Sequence, residues 1–257
     1  MLMPRIIPCL LIDDGGFVKT TRFGKPDYVG DPVNVINLFN RFEVDEIVIL
    51  DISATRQKRK PDFDLIRDLA SECWVPLSYG GGLNDIDDIQ KIFSIGIEKV
   101  VLNSAAYRSP DLIRRAADIY GSQAIVGSID VKPNLLGKHG VYIESGKEKI
   151  PLSPVEYAKQ LEANGVGELF LNAIHRDGTW QGYDLGIINE IVHSVDIPVI
   201  AIGGAGSRED LRQPLAAGAS AVAAGSIFVY KGAEKGVLIN FPLRPEIEDI
   251  LKAASPQ

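Results

Sequence analysis

The sequence predicts an α/β chain folded as a single (β/α)8 TIM barrel spanning residues 1–257, with two half-barrels at about 1–121 and 122–257. Three observations carry this expectation. Short, nearly continuous apolar runs rich in β-branched residues alternate with longer stretches of helical periodicity, the pattern of successive βα units around a parallel sheet covered on both faces. Eight such units can be counted in 257 residues, enough to bury one closed barrel without a second domain. The chain also repeats itself: PLSYGGGLNDIDDIQKIFSIGIEKVVLNSA (76–105) aligns without gaps on PVIAIGGAGSREDLRQPLAAGASAVAAGSI (198–227). That offset of 122 residues pairs Pro76 with Pro198, Gly81-Gly82 with Gly203-Gly204, Gly96 with Gly218 and Ser104 with Ser226. It also brings 44–52 onto 166–174, with Glu46 on Glu168. A doubly wound sheet would carry no such long-range duplication, whereas two half-barrels of four units each account for it.

Taken in order, strand one is expected at 5–12 (RIIPCLLI), followed by a long connection over 13–31. Strands two and three are expected at 45–53 (DEIVILDIS) and 75–80 (VPLSYG). The helical pattern DDIQKIFSIG then ends on Gly96, a residue suited to a left-handed C-cap. Strand four falls at 98–103 and strand five at 123–130 (QAIVGSID). A second long connection, 131–153, contains VYIESGKEKIPL, which reads as a small hairpin. Strands six, seven and eight fall at 167–173, 197–203 and 220–225, with the helix REDLRQPLAAG between the last two. Connections as long as 13–31 and 131–153 in a compact domain are usually functional lids or disordered segments.

A net charge of −7, a pI near 5.1 and no basic tract longer than Lys58-Arg59-Lys60 argue against a nucleic-acid surface and for a small-molecule substrate. The apolar run at 6–12 is too short to span a bilayer and has no signal-type cleavage site, so a cytoplasmic protein without a membrane partner is expected. Cys9 and Cys73 sit in apolar contexts and read as buried free thiols. No His/Cys/carboxylate group has ligand spacing, and no strand-linked dinucleotide fingerprint is present, so no metal or other cofactor is implied.

In such barrels the active site lies at the C-terminal ends of the strands, and loops after late strands commonly hold phosphate. Gly203-Gly204-Ala205-Gly206 after strand seven would let a ligand approach the backbone closely, and Gly225-Ser226 opens a short helix whose free N–H groups can face an anion. Gly81-Gly82 with Asn103-Ser104 is the equivalent pair in the other half. Either cluster alone could simply make tight βα turns; two equivalent clusters across the barrel favour a substrate with two phosphate ends.

The segments RIIPCLLIDDGGFVK, GDPV, VDEIVILDIS, YGGGLND, SAAYRSP, GSQAIVGSID, RDGTWQGYD and IGGAGSREDL together resemble the cyclase subunit of imidazole glycerol phosphate synthase, over residues 5 to about 232. The resemblance implies a barrel that receives ammonia through its interior from a glutaminase subunit on its N-terminal face, and closes an imidazole ring on a substrate carrying two phosphates. It implies two catalytic aspartates. Asp130, at the end of strand five, matches one. At the other position the family's PCLD reads PCLL here, leaving Leu11, and aligning RIIPCLLID on AIVGSIDVK independently sets Leu11 opposite Asp130. A leucine cannot move a proton. Asp13 and Asp14 lie about 7 to 10 Å further along the strand direction and are not automatic replacements.

The same resemblance assigns Asp177 and Gly178 to the second phosphate end and Lys19 to a loop closing over the substrate. It assigns Arg5, Glu46, Lys99 and Glu168 to a salt-bridged gate at the bottom of the barrel. Asp45 and Glu98, on the same face of the chain, are expected to help dock the glutaminase. His175, where the family has an acid, and Ile202, in place of a small polar residue, are further departures. Retention of the gate beside loss of an acid favours a diverged paralogue that delivers ammonia to another acceptor, of the kind associated with amidination of surface-polysaccharide sugars. An orthodox cyclase of histidine biosynthesis is the alternative. A catalytically dead scaffold activating the glutaminase, and the two-phosphate isomerase of the same pathway, are further readings.

Overall fold

The computed structural model describes residues 4–232 and 234–254; the ends of the expected domain, at 1–3 and 255–257, lie outside the described residues. Eight strands pair in parallel in chain order: β1 (Arg5–Asp13), β2 (Ile47–Asp51), β3 (Leu77–Gly80), β4 (Lys99–Leu102), β5 (Ile125–Pro133), β6 (Glu168–Ala173), β7 (Val199–Ile202) and β8 (Ala221–Ala224). β8 pairs back onto β1, so the sheet closes with no free edge among these eight. The strands match the sequence expectation to within a few residues, and β5 runs on three residues past Asp130.

The helices outside the barrel are α1 (Pro32–Arg41), α2 (Phe63–Glu72), α3 (Ile86–Ile95), α4 (Pro110–Tyr120), α5 (Pro154–Ala163), α6 (Leu185–Val192), α7 (Arg208–Ala216) and α8 (Arg244–Ala254). Six begin on an aspartate or serine whose side chain accepts a backbone N–H of the first turn: Asp31, Asp62, Asp85, Ser153, Asp184 and Ser207. These caps end the βα loops and satisfy donors that the helix itself leaves unpaired. Gly96 takes the left-handed C-cap, and Gly218, one residue after the Ala217 cap of α7, is also left-handed.

The internal repeat survives as geometry. Gly81 and its equivalent Gly203 have φ of +118° and +102°. A Cβ on either would strike a carbonyl oxygen 122 residues apart from the other's, Asp51 O at 2.3 Å and Ala173 O at 2.9 Å. The caps Asp85 and Ser207, also equivalent, adopt nearly the same dihedrals.

The long connections are built structures. Residues 13–31 are not an irregular lid: Gly16–Lys19 folds back antiparallel on the end of β1, and Asp27–Gly30 pairs outside it. The expected hairpin after β5 is present, with His139–Ile143 antiparallel both to the extended β5 and to Glu148–Lys149. Apolar side chains on the outer face of the barrel pack against the helices, while Ile7, Cys9, Val48, Val101, Val126, Phe170, Ile200, Ala221 and Ala223 fill its interior. Cys9 is buried as expected; Cys73 is only half-buried, and both are free thiols.

Candidate active site

A cavity opens at the C-terminal ends of the strands. Leu11, Leu50, Val101 and Ile202 make its apolar floor and Asp130 and Asn172 its polar wall, with Lys19, Thr20 and Asp177 at one side. Asp130 and Asn172 are direct neighbours across the β5–β6 ladder, both buried, and the amide oxygen of Asn172 has no hydrogen-bond partner. Leu11 and Asp130 line the same cavity, and Leu11 brings no titratable group to it.

Six carboxyl groups are buried among the described residues: Glu46, Asp51, Asp88, Asp130, Glu168 and Asp177. Five pair with a lysine or arginine, and Asp130 alone does not. Burial, reinforced by the nearby Asp177 carboxylate, pushes the Asp130 carboxyl up to about 7, against a weak donation from Ser128 Oγ at 3.5 Å. A buried carboxyl poised near neutrality can both take and give a proton in the working range.

The neighbouring acids are held differently. Asp177 Oδ1 accepts from Lys19 Nζ at 2.8 Å, and Asp177 Oδ2 from Thr20 Oγ1 at 3.3 Å. The same loop is tied down by Arg22, whose backbone N–H donates to Asp177 O and whose Nε donates to His175 O. Asp51 accepts from two backbone N–H groups, Ser53 Oγ and the Arg59 guanidinium. Asp13 lies 3.6 Å from Arg56 Nη2 above the cavity, and Asp14 sits exposed in a left-handed turn. Neither occupies the position of Leu11. Burial pushes the Cys9 thiol up to about 12, which removes it as a nucleophile.

The two expected phosphate clusters are placed unequally. Gly81, Gly82, Asn103 and Ser104 line the cavity, and Ser104 Oγ accepts from the backbone N–H of Glu144 in the β5 hairpin. In the other half only Gly225 reaches the wall, and the Lys19 side chain lies over it. Gly203 and Gly204 instead receive the 173–182 segment: a Cβ on Gly204 would come within 2.1 Å of Gly182 O. Gly178 packs on Thr20 O in the same way, and Ser226 is buried beneath.

At the opposite end, Arg5 Nη1 contacts Glu46 at 2.5 Å and Arg5 Nη2 contacts Glu168. Lys99 Nζ contacts the same two carboxylates at 3.2 and 2.9 Å. The four thus form an alternating ring, with Ser78 Oγ donating to Glu46 as well. Asp45 and Glu98 are exposed beside it.

Three features escaped the sequence reading. Asp51 has alanine as its repeat equivalent, so the duplication gave no signal for it. Asn172 was masked by the apolar run of its strand. No ligand spacing along the chain marks the third: the fold brings His139, His175 and Asp184 together although they are spread over 45 residues. Burial pulls the His175 imidazole pKa down.

Residues 5–234 match the family described as Histidine biosynthesis protein. A Pseudomonas aeruginosa protein with the provisional name imidazole glycerol phosphate synthase subunit hisF2 is 49% identical over 243 residues, covering 94% of this chain and 97% of that one. A Vibrio vulnificus protein, provisionally subunit hisF3, is 41% identical over 257 residues and 98% of each chain. Imidazole glycerol phosphate synthase subunit HisF of Endomicrobium trichonymphae is 42% identical over 231 residues, 90% of this chain and 89% of its own. Matched along nearly the whole barrel, the chain belongs to the histidine biosynthesis protein family, among the HisF-type subunits of imidazole glycerol phosphate synthase.

Proposed function

We propose that the barrel takes ammonia from a glutaminase docked on its N-terminal face and adds it to a phosphorylated substrate, as a diverged paralogue serving amidination of a surface-polysaccharide sugar. The observation that carries this reading is the pairing of one unneutralised buried acid, Asp130, with Leu11 in a cavity whose other carboxylates are held by cations. Ring closure with a general acid and a general base needs two titrating groups; addition of ammonia to an electrophilic carbon needs one base to accept the nitrogen's surplus proton. Asp130 fills that role.

In this reading, Gly81, Gly82, Asn103 and Ser104 hold one phosphate end, and Lys19, Asp177, Gly178, Gly203, Gly204, Gly225 and Ser226 form the other once the 173–182 segment draws back from the glycines, with Lys19 bridging Asp177 and the anion so that the carboxylate stays neutralised. The ring of Arg5, Glu46, Lys99 and Glu168 is the gate through which ammonia enters, with Asp45 and Glu98 contributing to the glutaminase interface. Above the ring the interior is apolar, which admits neutral ammonia and penalises ammonium. The protein acts in the cytoplasm as one half of a heterodimer and uses no redox cofactor.

The orthodox cyclase is favoured by one observation, the near-neutral Asp130 carboxyl in a chain 42% identical to a HisF subunit. Turnover of the two-phosphate imidazole precursor with excess ammonium salt separates the two. A silent wild type, awakened by Leu11→Asp, is expected. Wild-type turnover that falls by about 10²–10⁴ in Asp130→Asn would establish the cyclase instead.

A further inference from the structure

The chain contains three histidines, and two of them, His139 and His175, converge on one carboxylate oxygen. His139 Nε2 lies 2.8 Å and His175 Nε2 3.1 Å from Asp184 Oδ2. The three side chains arrive from separate segments. His139 opens the inner strand of the β5 hairpin, His175 follows β6, and Asp184 is the N-cap of α6, where its other oxygen, Oδ1, is occupied by the Ile187 N–H. All three are half-buried, and the ligand-type atoms lie within 4.8 Å of one another. None of the three lines the active-site cavity.

We infer that His139, His175 and Asp184 form a binding site for a divalent transition-metal ion of the zinc class. Two imidazole nitrogens and one carboxylate oxygen are borderline ligands that favour such ions over magnesium or calcium, which prefer all-oxygen sites. A tetrahedral ion with bonds of about 2.0–2.1 Å needs its ligand atoms roughly 3.3 Å apart; the two imidazole–carboxylate distances, 2.8 and 3.1 Å, are each within a few tenths of an ångström of that, and the ligand atoms all lie within 4.8 Å of one another. The cap arrangement presents Asp184 as a one-oxygen ligand, since Oδ1 stays on the helix, and the fourth position is left to water. Binding requires both imidazoles to be neutral at the ligating nitrogen, with any Nε2–H proton moved to Nδ1 or released.

The site's position assigns it a fastening role rather than a chemical one. It would tie the β5 hairpin to the β6 loop, and that loop to the β1 connection through the existing bond from Arg22 to His175 O. Through the hairpin, which donates the Glu144 N–H to Ser104, it would also steady one proposed phosphate cluster. The metal would therefore set the order of the loops around the cavity without touching the substrate.

The test is titration of the tag-free, EDTA-stripped chain with zinc in competition with a chromophoric chelator, alongside cobalt substitution read by visible absorption. One zinc per chain is expected, with intense tetrahedral cobalt bands. His139→Ala and Asp184→Asn should each weaken binding by at least about a hundredfold, since loss of even outer partners of metal ligands costs roughly 10–100-fold. His193→Ala, which removes the remaining histidine, should leave it unchanged. Zinc should also slow proteolysis within 131–153 in wild type and not in His139→Ala. Absence of saturable one-to-one binding, or binding that survives both ligand variants or is lost with His193, overturns the inference.

Discussion

At the scale of single residues, Asp130 ties function to stability. Its carboxyl is raised from 3.8 to about 7 in the folded chain, so between those values the folded state holds the proton and the unfolded state does not. The stability linked to this proton is present below pH 4 and is lost as pH rises through 7. Asp130→Asn removes that loss. Urea unfolding should show the variant gaining on wild type between pH 5 and pH 8 by on the order of 2–4 kcal/mol, while transfer activity disappears. An unchanged difference across that range would mean that Asp130 is ionised throughout. Glycines separate by the same kind of argument. Gly81 and Gly96 both have strongly positive φ, but a Cβ on Gly81 strikes Asp51 O at 2.3 Å while one on Gly96 meets nothing. Gly96→Ala should cost about 1 kcal/mol of strain alone, and Gly81→Ala clearly more, by chemical denaturation.

At the scale of elements, the βα loops are organised by their capping residues and by two antiparallel additions at the cavity mouth. Ser153 and Glu156 make a reciprocal capping box at the start of α5. Ser153→Ala should lower stability by about 1 kcal/mol without affecting ligand binding, since the box lies on the helix side. The β1 connection behaves differently, because its Lys19 is paired with Asp177 in a nearly dry setting. Lys19→Met strands the aspartate and should destabilise by about 3–5 kcal/mol if the pair stays dry, whereas Lys19→Met with Asp177→Asn should recover most of that loss. Recovery in the double variant, measured as a double-mutant cycle, separates the pair's coupling from the lysine's own packing. The hairpin expected after β5 was legible from its turn residues and alternation. The strands within 13–31 were not, because Gly16–Lys19 gains its strand character from pairing with β1 rather than from its own four residues.

At the scale of the whole molecule, polar layers at the two ends of the barrel enclose an apolar interior. The ring at the bottom couples β1, β2, β4 and β6 through four side chains, so no member is independent of the others. Arg5→Met leaves Glu46 and Glu168 with Lys99 as their one cation in the ring, and should cost several kcal/mol by the standard for broken buried pairs, reduced by the partial exposure of Arg5. If the ring gates ammonia, the same variant should lower glutamine-dependent transfer relative to transfer driven by ammonium salt. An unchanged ratio would leave the ring a structural device only.

The sequence by itself determined the closed eight-unit barrel and its half-barrel duplication, which are written in local periodicity and in a fixed offset along the chain. The residues of the bottom ring and the acid at the end of β5 were legible through the resemblance to the cyclase family, matched position by position. Only the tertiary structure decided which carboxylates are neutralised, because Lys19 and Asp177 are 158 residues apart and their pairing depends on a folded-back strand. Only the tertiary structure assembled His139, His175 and Asp184, since no spacing rule links a hairpin, a loop and a helix cap. Linear patterns report what repeats along the chain, whereas charge neutralisation and ligand convergence are properties of loops brought side by side by barrel closure.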